Sequence, residues 1–204
     1  LHIHSKYSWD CKVELEQIIK ISKKKKLQGI SITDHDTLEG AFKALKLVKG
    51  DDDLTIIPGV EVSTQFGHVI AMFIKEKINT TDFYELIDIA KEDDLILNFV
   101  HPGRSLEHSD LLADKCDLIE VINGHSRITQ NIHSKFIQSK ANKPQVAGSD
   151  AHYSNEIGQC CTIIPALDEE GVRKSLMSGD VKVTGLFSTL PNLFKSFNRK
   201  FTKF

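Results

Sequence analysis

This chain sets donor side chains at the ends of apolar, strand-like runs. Six of its nine histidines sit in such places, and so do three carboxylates, Asp10, Glu61 and Asp150. The runs read Leu1-His2-Ile3-His4, followed six residues on by Asp10, Ile30-Ser31-Ile32-Thr33-Asp34-His35, Ile56-Ile57-Pro58-Gly59-Val60-Glu61, Leu95-Ile96-Leu97-Asn98-Phe99-Val100-His101 and Val146-Ala147-Gly148-Ser149-Asp150-Ala151-His152, and the sixth histidine, His68, heads the run Val69-Ile70-Ala71-Met72-Phe73-Ile74. Parallel sheets carry their chemistry at the C-terminal ends of the strands, so donors recurring there converge in space. A sheet or barrel with a polynuclear metal site at one rim is the architecture that satisfies this pattern.

The rest of the chain alternates in the same sense. A helix is predicted over 13–27, with Leu15, Ile18, Ile19 and Ser22 on one face and Lys23 to Lys26 at its end, where cations suit the helix dipole. Strands follow at 29–35, 54–62 and 68–74, with a helix at 38–49 and a short turn at Gly67. Then come a helix at 80–93, strands at 95–101 and 117–122, a helix at 127–141, and strands at 144–149 and 160–164. A helix at 168–178 and a strand at 181–184 complete the series. This βα order predicts a mainly parallel sheet or barrel.

A length of 204 residues fits one domain, expected over 1–185. A hydrophobic fraction of 40% describes a folded chain, and a net charge of -2 gives no overall attraction to nucleic acid or anionic membrane. No apolar stretch reaches the roughly 18 residues of a membrane span, and no membrane partner is expected. The four cysteines show no C-x-x-C spacing and are read as reduced thiols, which favours a cytoplasmic protein. No signal-peptide pattern opens the chain, although the numbering begins inside a strand.

On an extended backbone the imidazoles of His2 and His4 point to one face and can grip one ion. A single His-x-His is weak. The accumulation of Asp10, His35, Glu61, His68, His101 and the Asp150-x-His152 pair makes the set strong.

These segments resemble the PHP family, named for DNA polymerases and histidinol phosphatases. The resemblance rests on His2-Ile3-His4-Ser5 with Ser8 and Asp10, Ile32-Thr33-Asp34-His35-Asp36, Pro58-Gly59-Val60-Glu61 and Gly67-His68-Val69. It continues through His101-Pro102-Gly103-Arg104, Glu120-Val121-Ile122-Asn123 and Gly148-Ser149-Asp150-Ala151-His152. It implies a distorted (βα)7 barrel with two or three divalent ions at the strand ends. By resemblance, His2, His4, Glu61 and Asp150 hold the first metal, and Glu61 bridges to a second held by His68 and His101. Asp10, His35 and His152 hold the third. Mixed His/carboxylate sites accept manganese, iron and zinc alike.

The implied activity is a phosphoesterase: hydrolysis of a small phosphomonoester, a nucleotide or a short oligonucleotide by a metal-bridging hydroxide. Arg104 offers a planar fork for phosphate oxygens, Asn123 is a candidate substrate contact, and His152 is a candidate acid for the leaving group. Histidinol phosphate hydrolysis is one alternative; a non-catalytic PHP module that binds metal and a partner is another. Asp34 and Asp36 are read as orienting His35, and His108, His125 and His133 as solvated or locally bonded. The stretch 186–204 places Leu190, Leu193, Phe194, Phe197, Phe201 and Phe204 at helical spacing among basic residues, and an amphipathic helix docked on the barrel is expected there. The oligomeric state is open.

Overall fold

The computed structural model describes residues 1–51, 53–104 and 106–185. The expected C-terminal amphipathic helix lies outside them. The fold is a mixed α/β structure built on one curled, half-barrel sheet of six strands in the order β1-β2-β3-β4-β5-β6. These strands are β1 (Gly29–Ile32), β2 (Thr55–Thr64), β3 (Gly67–Met72), β4 (Ile96–Phe99), β5 (Leu118–Asn123) and β6 (Gln145–Gly148). Helix α1 (Leu15–Lys24) precedes β1, and helices α2 (Glu39–Leu47), α3 (Phe83–Glu92), α4 (Ser109–Lys115) and α5 (Ile128–Ala141) lie between the strands. A separate two-stranded antiparallel sheet of β7 (Cys160–Ile163) and β8 (Lys182–Gly185), with α6 (Glu169–Ser178) between them in the chain, completes the described residues.

The sheet is less parallel than the βα order predicts. β1 with β2, β4 with β5 and β5 with β6 run parallel, whereas β3 is antiparallel to both neighbours. The cause is the turn at Gln65-Phe66, closed by the Thr64↔Gly67 pair. Two residues can make a hairpin but not the crossover a parallel neighbour needs. The opening strand is likewise reduced to one bridge, Ile3 with Ala151. Its backbone nonetheless bonds on both sides: Thr33 N–H donates to the Ile3 carbonyl at 2.9 Å, and His4 N–H donates to the Ala151 carbonyl at 3.0 Å. The segment thus links the ends of β1 and β6.

Alternation along the strands fixes what each face carries. Val60, Val62, Val69, Ala71, Leu97, Phe99, Ile119 and Val121 pack in one core cluster together with helix residues such as Phe83, Leu86 and Leu112. On the other face Ile57, Ile70, Met72, Ile96, Leu118 and Val146 pack together, each burial being worth roughly 1.5–3 kcal/mol. Because side chains repeat every two residues, Glu61, His68, Asn98 and Glu120 share this second face. An apolar floor therefore passes directly into a polar rim.

Local signals place the helices. Asp82 caps α3 by accepting the Tyr84 and Glu85 amides, both at 2.9 Å, and Asp168 caps α6 by accepting the Gly171 amide. The short α4 has only seven residues, too few for a clear periodic signature in the sequence.

Candidate metal centre

The rim gathers all nine donor residues singled out in the sequence. His2 and His4 project together from the segment held between β1 and β6, while Ile3 turns into the core. His35 follows β1 and bridges Glu61 on β2. His68 comes from β3, His101 from the end of β4, and Asp150 and His152 from the end of β6. His101 and Asp150 both adopt positive φ, at 35° and 48°. Non-glycine residues rarely sit there, and such backbone strain concentrates at functional sites.

Three groups of donors form, each with ligand atoms within 4.8 Å of one another: His2, His4, Glu61 and Asp150; His4, Asp10, His35 and His152; and His35, Glu61 and His68. Each pair of groups shares one residue, respectively His4, Glu61 and His35. His101 joins through Glu61, its Nε2 lying 3.0 Å from Oε1, while His68 Nδ1 lies 2.8 Å from the same oxygen. The other Glu61 oxygen is 3.0 Å from both His2 Nε2 and His4 Nε2. Glu61 therefore touches imidazoles on two sides, and His4 and His35, which the family resemblance assigns to one metal each, are each shared between two groups.

This arrangement fits metal ions. His2 turns Nδ1 outward to Glu120 at 3.1 Å, His4 turns Nδ1 to Ser8, and His152 turns Nδ1 to the Asp150 carbonyl at 2.9 Å. Each leaves Nε2 facing the shared centre, the orientation that outer hydrogen bonds impose on metal-binding histidines. His35 Nδ1 is buried without a hydrogen-bond partner, and it stands 3.6 Å from Glu61, too far for a hydrogen bond.

The electrostatics make the same case. Burial opposes charge on His2, but Asp150, Glu61 and Glu120 outweigh it and raise its pKa to about 10. His4 is likewise raised well above the ordinary value, against burial, by Asp150 and Glu61. Burial works against ionised Glu61 and Asp150, yet His2 and its neighbours hold both carboxyls well below their usual range. Asp10 is held low by His152 and His35 despite its burial. By contrast burial and Arg104 push His101 down to about 4, and burial and His4 lower His152. The buried carboxylates thus demand cations, and protons on His2 and His4 meet that demand where ions would.

Arg104 is tied in more tightly than its surface position suggests. Its Nη2 donates to Asp150 Oδ2 at 2.6 Å and to Asn123 Oδ1 at 2.8 Å, and its Nε donates to Ser126 Oγ at 2.9 Å. Part of the fork expected for phosphate therefore orients Asp150, while 30% of the side chain stays exposed at the rim. Asn123 is fully buried. Its amide donates to Glu120 and Asp150, and its oxygen accepts from Arg104, Ser126 and the His125 backbone, so it is a buried hub beside the rim.

Asp34 does not orient His35: it accepts the Ser5 amide and hydroxyl at 2.6 and 2.7 Å. Asp36 accepts the Ser63 amide on β2. His108 packs edge-on against Phe66, and His133 is exposed on α5. His125 pairs with the buried Glu156 at 3.3 Å and lies 5.0 Å, ring to ring, from His152. Sequence reading assigned no role to Glu156, which accepts the His152 and Tyr153 amides, or to Ser8, whose hydroxyl touches His4, Asp10 and the His35 amide. Ser8 had a faint signal in its place two residues before Asp10; Glu156 had none.

Known proteins align with this picture. The PHP domain family profile matches residues 1–162. The uncharacterized protein MJ1587 of Methanocaldococcus jannaschii is 32% identical over 150 residues, covering 65% of this chain and 86% of that one. The uncharacterized protein MJ0417 of the same organism is 26% identical over an alignment of 213 positions, covering 96% and 84%. Among solved structures, a two-domain protein from Bacteroides vulgatus containing a predicted PHP-like metal-dependent phosphoesterase superposes with a TM-score of 0.75 at 19% identity. That match covers 98% of this chain and 68% of the other. PsfC from Pseudomonas syringae gives 0.68 at 16% identity, covering 100% and 97%. Likeness at these identities speaks to the fold.

Proposed function

The chain belongs to the PHP domain family, and we propose that it is a metal-dependent hydrolase of phosphate esters. The observation carrying this reading is the interlocked set of three donor groups sharing His4, His35 and Glu61. In our assignment His2, His4, Glu61 and Asp150 hold one divalent ion, Glu61 with His68 and His101 a second, and Asp10, His35 and His152, joined by His4, a third. The donor set suits manganese, iron or zinc. Ions bound there would neutralise the charge of a phosphate ester and make water a competent nucleophile near neutral pH.

The protein's own groups do the positioning. Glu120 fixes His2, Ser8 fixes His4 and Asp10, and Arg104 holds Asp150 by one oxygen while the other faces His2 and His4. Among the described residues Arg104 Nη1 makes no hydrogen bond, and it is the donor we assign to a phosphoryl oxygen. His152, with Nε2 at 2.8 Å from Asp10, is a ligand in this scheme and a poor proton donor to a leaving group. The substrate is a small phosphomonoester, a nucleotide or a short oligonucleotide. Among the described residues no helix is long and apolar enough to cross a membrane.

The test is elemental analysis of reconstituted protein together with turnover of an aryl phosphate, for the wild type and Asp10→Ala. Two to three ions per chain and turnover that falls by about 10²–10³-fold in the variant are expected, the loss that follows removal of a charge-organising group. One ion or none, or full activity in Asp10→Ala, overturns the assignment. Bound ions with no turnover of any phosphate ester would leave a non-catalytic metal-binding module.

A further inference from the structure

Trp9 is the only tryptophan in the chain, and it stands at the rim with 54% of its surface exposed. Its ring stacks on His35, with centroids 5.6 Å apart and planes at 25°. His35 in turn lies 4.7 Å from the His4 ring and 5.1 Å from the His68 ring, so Trp9 is one ring layer outside the donor cluster. Its backbone is fixed on both sides, since Ser8 bonds Asp10 and the His35 amide while Asp10 meets His152. A large aromatic held this firmly and still left in water has forgone much of the free energy of its own burial.

We propose that Trp9 is a specificity-determining residue: a stacking platform that selects phosphate esters whose leaving group carries a flat aromatic ring, a nucleobase above all. This rests on the phosphoesterase reading of the adjoining cluster and deepens it. A phosphate held at the donor groups would have its ester substituent within reach of the exposed indole, which stands one ring layer outside them. Stacking of this kind tolerates any base, because every base presents a π-face. The order along the chain, Ser8-Trp9-Asp10, places the platform and a candidate ligand on one rigid turn. A tryptophan serving only to lid His35 would orient that ring for every substrate alike, and selectivity is what separates the two roles.

Because Trp9 is the sole tryptophan, the intrinsic emission of the whole protein reports on this position. Titrating the metal-loaded protein with adenosine monophosphate, with excitation at the red edge of the indole band, should quench that emission, whereas ribose 5-phosphate should leave it nearly unchanged. That difference supports the platform even where no ester is turned over, so failure of the phosphoesterase reading remains distinguishable from failure of this one. An equal response to both probes, or none to either, overturns it. In kinetics, Trp9→Leu should lower the ratio of kcat/KM for the nucleotide to that for glycerol phosphate by on the order of tenfold, within the range of one stacked base. Trp9→Phe should restore most of the ratio. A Trp9→Leu enzyme that loses both substrates in proportion, or that loses metal on elemental analysis, would make Trp9 a positioning residue for His35 and sink the proposal.

Discussion

Glu120 and His2, 118 residues apart, are joined in the buried rim: His2 Nδ1 lies 3.1 Å from Glu120 Oε1, while the second Glu120 oxygen accepts the His101 amide and the Asn123 side chain. One carboxylate therefore sets the ring orientation of one candidate ligand and the backbone of another. Glu120→Gln keeps the shape but removes the charge. It is expected to weaken metal binding by about 10–100-fold, as loss of such outer partners does elsewhere, with the fold retained. Competition with a chelator measures this, and wild-type affinity in the variant would return Glu120 to a packing role.

The protonation of the metal-free rim gives a stability prediction with a definite sign. The His2 pKa rises on folding from 6.5 to about 10, and His4 shifts the same way. A raised pKa contributes stability that is fully present below the unfolded value and is lost as pH climbs through the folded one. Metal-free protein should accordingly melt at progressively lower temperature as pH rises from 6.5 towards 10. The lowered carboxylates and His101 act on the acid side, so they do not offset this loss. Metal-loaded protein should fall less steeply, because ions replace the protons. Thermal melts across this window decide it, and a flat or rising metal-free curve would contradict the account.

Arg104→Lys preserves a positive charge beside Asp150 but cannot span Asp150, Asn123 and Ser126 at once. A loss on the order of tenfold in kcat/KM is expected, comparable to one charge-assisted hydrogen bond, with metal content maintained. Unchanged kinetics would show that the guanidinium geometry serves neither Asp150 nor the substrate.

Gly148 ends β6 directly beneath the rim. A Cβ there would collide with the Glu120 carboxylate and with His2 Cβ. Gly148→Ala should cost about 1–3 kcal/mol through overpacking, and it should weaken metal binding because the displaced groups are those that orient the site. A variant with wild-type melting temperature and metal content would mean that the sheet yields more easily than its packing implies.

The donor inventory and its placement at strand ends are determined by the sequence alone, because both are local. A two-residue period tells which side chains share a face, and an apolar run ending in His or Asp marks where that face meets water. The antiparallel excursion of β3 is also local in origin, since the Gln65-Phe66 turn is too short for a crossover, although the βα order masked it. What tertiary structure decided is how the donors are shared and supported. A register shift between Glu120 and Ile122 breaks the two-residue period on β5, bringing Asn123 to the rim face beside Glu120, where its amide is buried against Glu120 and Asp150. Glu156 reaches His125, and His4, His35 and Glu61 link the three groups, only because distant segments become neighbours around the curled sheet. Such contacts depend on strand order and curvature, which are properties of the closed chain as a whole and leave no periodic trace along it.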